Sequence, residues 1–120
     1  MTDEVRLGAL SASTLIGDPV RNTAGDDLGK LEDFMIDLDT GCIVYAVLSF
    51  GGFLGLGDKL FAIPWASLQV DLEDESLRMD IDQETLEKAP GFDKDNWPEP
   101  KDFGIVTTVY KFYGVENPFE

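Results

Sequence analysis

The sequence predicts an all-β fold built on one small, strongly bent antiparallel sheet, and three observations carry that expectation. Apolar and polar residues alternate with period two along several short runs between Leu15 and Ile81. Polar or glycine-containing turns of hairpin length separate those runs. The alternation also slips out of phase where glycines gather, as a bulge in a tightly curved sheet requires.

Taken along the chain, residues 1–13 are expected to form a flexible segment, and Met1 to Ser13 has no apolar stretch of the kind a secretory signal needs. Leu28 to Asp33 breaks the alternating phase, with Gly25 and Gly29 suited to the bend. Phe34, Ile36 and Leu38 then alternate with Met35, Asp37 and Asp39, a strand with one apolar face that stops at the turn Asp39-Thr40-Gly41. The next run, Ile43 to Leu48, is apolar almost without interruption. Such a strand is covered on both faces and belongs at the centre of a sheet.

A shorter strand, Lys59 to Ile63, ends at Pro64, which cannot donate to a ladder. Leu68, Val70 and Leu72 pair with Leu77, Met79 and Ile81 as a hairpin around the polar turn Glu73 to Ser76. Asp82 can cap a short helix through Glu87, with Ala89-Pro90-Gly91 as its stop. Residues 91–102 look like a surface connection anchored by Phe92 and Trp97. Phe103, Val106, Tyr110 and Tyr113 fall at helical spacing before Gly114, although the β-branched run Ile105 to Val109 also suits a strand. A helix is favoured, packing its aromatic face on the sheet or on a second subunit.

Composition restricts the partners. There are 24 Asp and Glu against nine Lys and Arg, a formal charge of −15, and the cations stand singly rather than in a cluster. A phosphate backbone or an anionic membrane surface would be repelled, so neither nucleic acid nor membrane is an expected partner. The longest apolar stretch, Ile43 to Gly57, is broken by Ser49 and four glycines and is too short to cross a bilayer. A single cysteine, Cys42, excludes an internal disulfide and fits a cytoplasmic location.

The order of these segments resembles the PRC-barrel family. The resemblance runs through Gly17-Asp18-Pro19-Val20, Asn22-Thr23-Ala24-Gly25-Asp26-Asp27-Leu28-Gly29-Lys30-Leu31, Phe34-Met35-Ile36-Asp37, Ile43 to Leu48, the loop Gly51 to Gly57, and Phe61-Ala62-Ile63-Pro64-Trp65. It covers about Thr14 to Pro90. The family includes the cytoplasmic domain of the photosynthetic reaction centre H subunit, the second domain of a ribosome maturation factor, and small standalone proteins. This chain is most similar to the standalone kind. The resemblance implies an antiparallel barrel of about six strands over residues 14–90, with residues 91–120 as a partly helical C-terminal extension. It also implies an adaptor for proteins, with no catalytic residue to carry across.

The residues point the same way. The chain has no histidine, which removes Ser-His-Asp and Cys-His nucleophiles and every histidine-bearing metal site. Cys42 has no base near it in sequence and reads as a structural thiol. The glycine-rich loop fails as a phosphate cradle, because Asp58 stands where a P-loop needs lysine and a strand follows where a dinucleotide fold needs a helix. Gly51, Gly52, Gly55 and Gly57 are therefore expected to serve the loop's backbone. Phe53, Leu54 and Leu56 either plug the barrel end or form a partner surface. Together with Tyr110, Phe112 and Tyr113 they are the candidate partner-binding residues. The expected function is a non-enzymatic interaction module without cofactor or metal, its partner another protein or a second copy of itself. The alternative is a divalent-cation-binding or metal-dependent hydrolytic protein using the acidic strand faces, where eight acids lie between Asp71 and Glu87.

Overall fold

A computed structural model describes residues 8–50 and 59–119 of the chain. Its centre is a sheet of seven strands: β1 (Pro19–Arg21), β2 (Asp27–Ile36), β3 (Ile43–Phe50), β4 (Lys59–Pro64), β5 (Gln69–Asp71), β6 (Ser76–Arg78) and β7 (Gly91–Asp93). Three α-helices accompany it among the described residues, α1 (Ala12–Leu15), α2 (Gln83–Glu87) and α3 (Phe103–Tyr113), with a 3-10 turn at Trp65–Ser67. The strand order is β5-β6-β1-β2-β3-β4-β7, and the sheet stays unclosed, with β5 and β7 at its ends. Every pairing is antiparallel but one: β6 returns beside β1 in parallel, Val20 opposite Leu77. Period-two alternation fixes which face a side chain takes and says nothing about the direction of the neighbouring strand.

The predicted bend sits where the phase breaks. The β2–β3 register shifts between Leu31 and Asp33. Two residues before that shift, Gly29 has φ +106°, and a Cβ there would stand 2.1 Å from the Ser49 carbonyl oxygen. Only glycine lets the two backbones meet so closely.

Because β3 lies mid-sheet, its alternate side chains enter two separate cores. Ala46, Leu48 and Phe50 join Val20, Leu28, Leu31, Phe61, Ile63, Leu77, Met79 and Leu86 on one face. Tyr45 and Val47 join Leu60 and Ala62 on the other, beneath Val106, Val109 and Tyr110 of α3. The unbroken apolar run of β3 is thus explained by a helix lying on the sheet's second face. Each fully buried Val or Leu in these cores contributes about 1.5–3 kcal/mol relative to exposure.

Local chemistry accounts for the helix ends. The Asp82 carboxylate accepts from the Thr85 N–H at 2.7 Å and starts α2, as its sequence position predicts. Asp102 does the same for Ile105 at the start of α3, and Gly114, left-handed at φ 66°, ends it. The β-branched run Ile105 to Val109 is helical because its Ile105, Val106 and Val109 meet the apolar face of β3 and β4, a tertiary contact that overrides the local preference for strand.

Three expectations change. Ile36 and Leu38 were expected on an apolar face, yet they are 53% and 91% exposed. β1 pairs β2 only between Asp27 and Lys30, so the outer half of β2 has a strand neighbour on one side alone. Residues 91–93, expected in a surface connection, form β7 against Lys59–Phe61, and Trp97 then packs at a tilt against Phe92 with ring centroids 5.1 Å apart. Cys42, read as a structural thiol, is exposed at the β2–β3 turn.

Candidate interaction surface

The aromatic residues of α3 divide between the two sides of the helix. Ile105, Val106, Val109, Tyr110 and Tyr113 pack towards the sheet. Phe103 is 67% and Phe112 39% exposed, and Gly104, Thr107, Thr108 and Lys111 between them are also exposed. Of the three α3 residues predicted to bind a partner, Phe112 alone is turned largely outward.

Tyr110 and Tyr113 instead hold the helix in place. Tyr110 is 5% exposed; its hydroxyl donates to the Val44 carbonyl, and its ring meets Phe119 edge-on with centroids 6.2 Å apart. Burial raises its hydroxyl above the usual tyrosine range. Tyr113 packs against both cores, with its hydroxyl buried and lacking a hydrogen-bond partner. Its ionisation is pushed far up by burial. Phe112 leans edge-on against the Tyr113 ring, centroids 5.0 Å apart, so an inward residue braces the outward one. Beneath the helix, Tyr45 is raised to about 12, chiefly by burial and then by the negative charge of Asp102.

The charge on this surface differs from that of the rest of the chain. From Phe103 to Val115 there is no Asp or Glu, and Lys111 is the sole charged residue. The exposed side of α3 is therefore small and hydroxyl-bearing between Phe103 at one end and Phe112 near the other, with Lys111 its one charge, on a chain of formal charge −15. Phe103 was not among the predicted partner-binding residues. Its helical spacing with Val106 and Tyr110 suggested an inward position, whereas the packed stripe begins only at Ile105 and Val106.

Phe53, Leu54 and Leu56, with Gly51, Gly52, Gly55 and Gly57, lie outside the described residues. Acids elsewhere serve local structure. Asp74 accepts from Arg21 and from the Ser76 hydroxyl, each at 2.8 Å, and these bonds, Ser76 first, hold its carboxyl below the usual range. Arg78 lies 3.7 Å from Asp71. Among the described residues no group of three or more Asp, Glu or Cys is arranged to hold a metal ion. No described helix is long and apolar enough to cross a membrane.

One further polar centre escaped the sequence reading. Asn22, 4% exposed, accepts at its side-chain oxygen from the Ala24 and Asp26 N–H groups at 3.0 and 2.8 Å, and its amide donates to the Asp26 carboxylate at 3.1 Å. It ties the β1–β2 turn. The signal lay in Asn22-Thr23-Ala24-Gly25-Asp26, an asparagine placed to bond its own downstream backbone.

Among solved structures, a putative 16S ribosomal RNA processing protein, RimM, from Pseudomonas aeruginosa is similar at 20% identity and a TM-score of 0.43. The similarity covers 65% of this chain and 47% of that one, so this chain spans about half the neighbour's length. No curated protein matches the sequence. The family pattern described as the PRC-barrel domain matches residues 8–86, well over half of the chain, and this chain belongs to the PRC-barrel family.

Proposed function

We propose that the chain is a non-catalytic docking module, cytoplasmic, in which the sheet over residues 14–90 is a rigid base and the extension over 91–120 presents a surface to another protein or to a second copy. The observation that carries this reading is the outward strip of α3. Phe103 and Phe112 are held in water on an ordered helix, in a segment free of the acids found elsewhere along the chain. Exposed large aromatics on a surface poor in charge are what protein interfaces concentrate. Phe53, Leu54 and Leu56 belong to the same proposal as a second apolar contact.

Site-specific photo-crosslinking in cells tests it. A photoreactive residue at Thr108 or Phe112 is expected to give discrete protein adducts, while one at Glu84, exposed on α2, gives none. Equal labelling from all three positions, or none from α3, would overturn the reading.

A further inference from the structure

The β2–β3 hairpin carries a second exposed apolar feature, and it differs from α3 in both shape and charge. Its turn, Asp37 to Cys42, is braced from within. The Asp37 N–H donates to the Cys42 carbonyl at 2.8 Å and the Gly41 N–H to the Asp37 carbonyl at 2.7 Å. The Thr40 hydroxyl donates to the Asp37 carboxylate at 2.6 Å and accepts from the Cys42 N–H at 3.2 Å. On this ordered turn Leu38 is 91% exposed, and two residues before it Ile36 is 53% exposed. A lone surface leucine needs no explanation, but two branched apolar side chains on a fixed projection form a contact that loses no loop entropy on binding.

The surroundings select the partner. From Leu31 to Asp58 the chain has no Lys or Arg, while Glu32, Asp33, Asp37 and Asp39 flank Ile36 and Leu38. None of the four takes part in the ion pairs found among the described residues, which are Arg21–Asp74, Arg78–Asp71 and Lys88–Glu84. Leu72, 47% exposed in the β5–β6 turn, differs in degree: of its acidic neighbours, Asp71 and Asp74 are matched by Arg78 and Arg21, while Glu73 and Glu75 are in none of these pairs. At the β2–β3 turn none of the four acids is matched in this way, so a cationic partner meets negative charge with no competing cation of the described chain.

We propose that the β2–β3 hairpin is a docking finger for a basic protein segment bearing apolar side chains, with Ile36 and Leu38 as its anchors and Glu32, Asp33 and Asp39 as its charge-selective rim. This rests on the docking reading above only in treating the chain as a binder; the surface and the partner chemistry are separate from those of α3.

The test uses the full chain and three synthetic peptides, one alternating Lys with Leu, one alternating Glu with Leu, and one alternating Lys with Ser. Amide NMR signals are followed during titration. The Lys-Leu peptide is expected to shift Ile36 to Cys42 selectively, the Glu-Leu peptide to shift nothing, and the Lys-Ser peptide to bind at least about tenfold more weakly, roughly the loss expected for one unburied leucine. Leu38→Ser should weaken the Lys-Leu peptide by a similar factor of about ten, with the remaining signals unmoved, and added salt should weaken it further. Shifts spread over all acidic strands alike, or a Leu38→Ser protein that binds as well as the parent, would overturn the proposal. Phe112→Ser separates the two readings: it should abolish the α3 adducts and leave peptide binding at the hairpin unchanged.

Discussion

The Tyr110 hydroxyl donates to the Val44 carbonyl, fixing α3 to β3 across the core that covers the sheet's second face. Tyr113, one turn further on, buries a hydroxyl with no partner. The two tyrosines should respond in opposite ways to the same change. Tyr110→Phe is expected to cost about 1–2 kcal/mol, because it strands a carbonyl beneath the helix, whereas Tyr113→Phe removes an unsatisfied group and should be neutral or stabilising by up to about 1 kcal/mol. Urea unfolding of both variants beside the parent checks the pair.

Gly29→Ala should destabilise more than either. The side chain would meet the Ser49 backbone at 2.1 Å in a left-handed residue, and backbone has no rotamer to yield. The expected loss is about 3 kcal/mol or more, while Gly104→Ala, whose nearest contact is an Asp102 carboxylate oxygen at 3.3 Å, serves as the tolerated control.

Asn22→Ala removes a buried side chain that satisfies two backbone N–H groups. A loss of about 2–4 kcal/mol is expected from the exposed donors, and Asn22→Asp, which keeps the accepting oxygen, should recover part of it. Thermal melts of the two variants decide this.

Stability should fall at alkaline pH with a defined sign. Burial raises Tyr45 to about 12 and raises Tyr110 and Tyr113 as well, so all three stay neutral in the fold after an unfolded chain has begun to ionise. Their contribution is complete below the unfolded value of about 10 and is lost as pH climbs towards the folded values. Tyrosinate absorbance followed against pH, with circular dichroism alongside, should show ionisation and unfolding together between roughly pH 10 and 12 for these side chains.

A chain ended at Pro90 would keep all residues of the family match yet lose β7 and α3. Tyr45, Val47, Leu60 and Ala62 would then face water. Such a fragment is expected to bind an apolar dye and to aggregate; a monomeric, dye-silent fragment would contradict the two-core description.

Legibility from sequence followed the range of the forces involved. The run Ile43 to Leu48 announced a two-sided strand because burial on both faces is written directly into composition. Asp82 and Gly114 marked helix ends because capping is local. Ile36 and Leu38 misled because alternation reports a strand's pleat and cannot say where its neighbours stop. β7 was missed because Gly91-Phe92-Asp93 is three residues long and owes its conformation to pairing with Lys59–Phe61. On α3, helical spacing located Tyr110 and Tyr113 correctly on one stripe, but which aromatics turn outward depends on where the sheet beneath begins, and that is a tertiary fact.

The parallel junction of β1 with β6 has a temporal meaning. Val20 is made early and Leu77 late, and neither β1 nor the β5–β6 hairpin completes its hydrogen bonding until the two meet. A nascent chain released before Arg78 would carry β1 and β2 with one flank bare, so productive assembly waits for the hairpin that seals it.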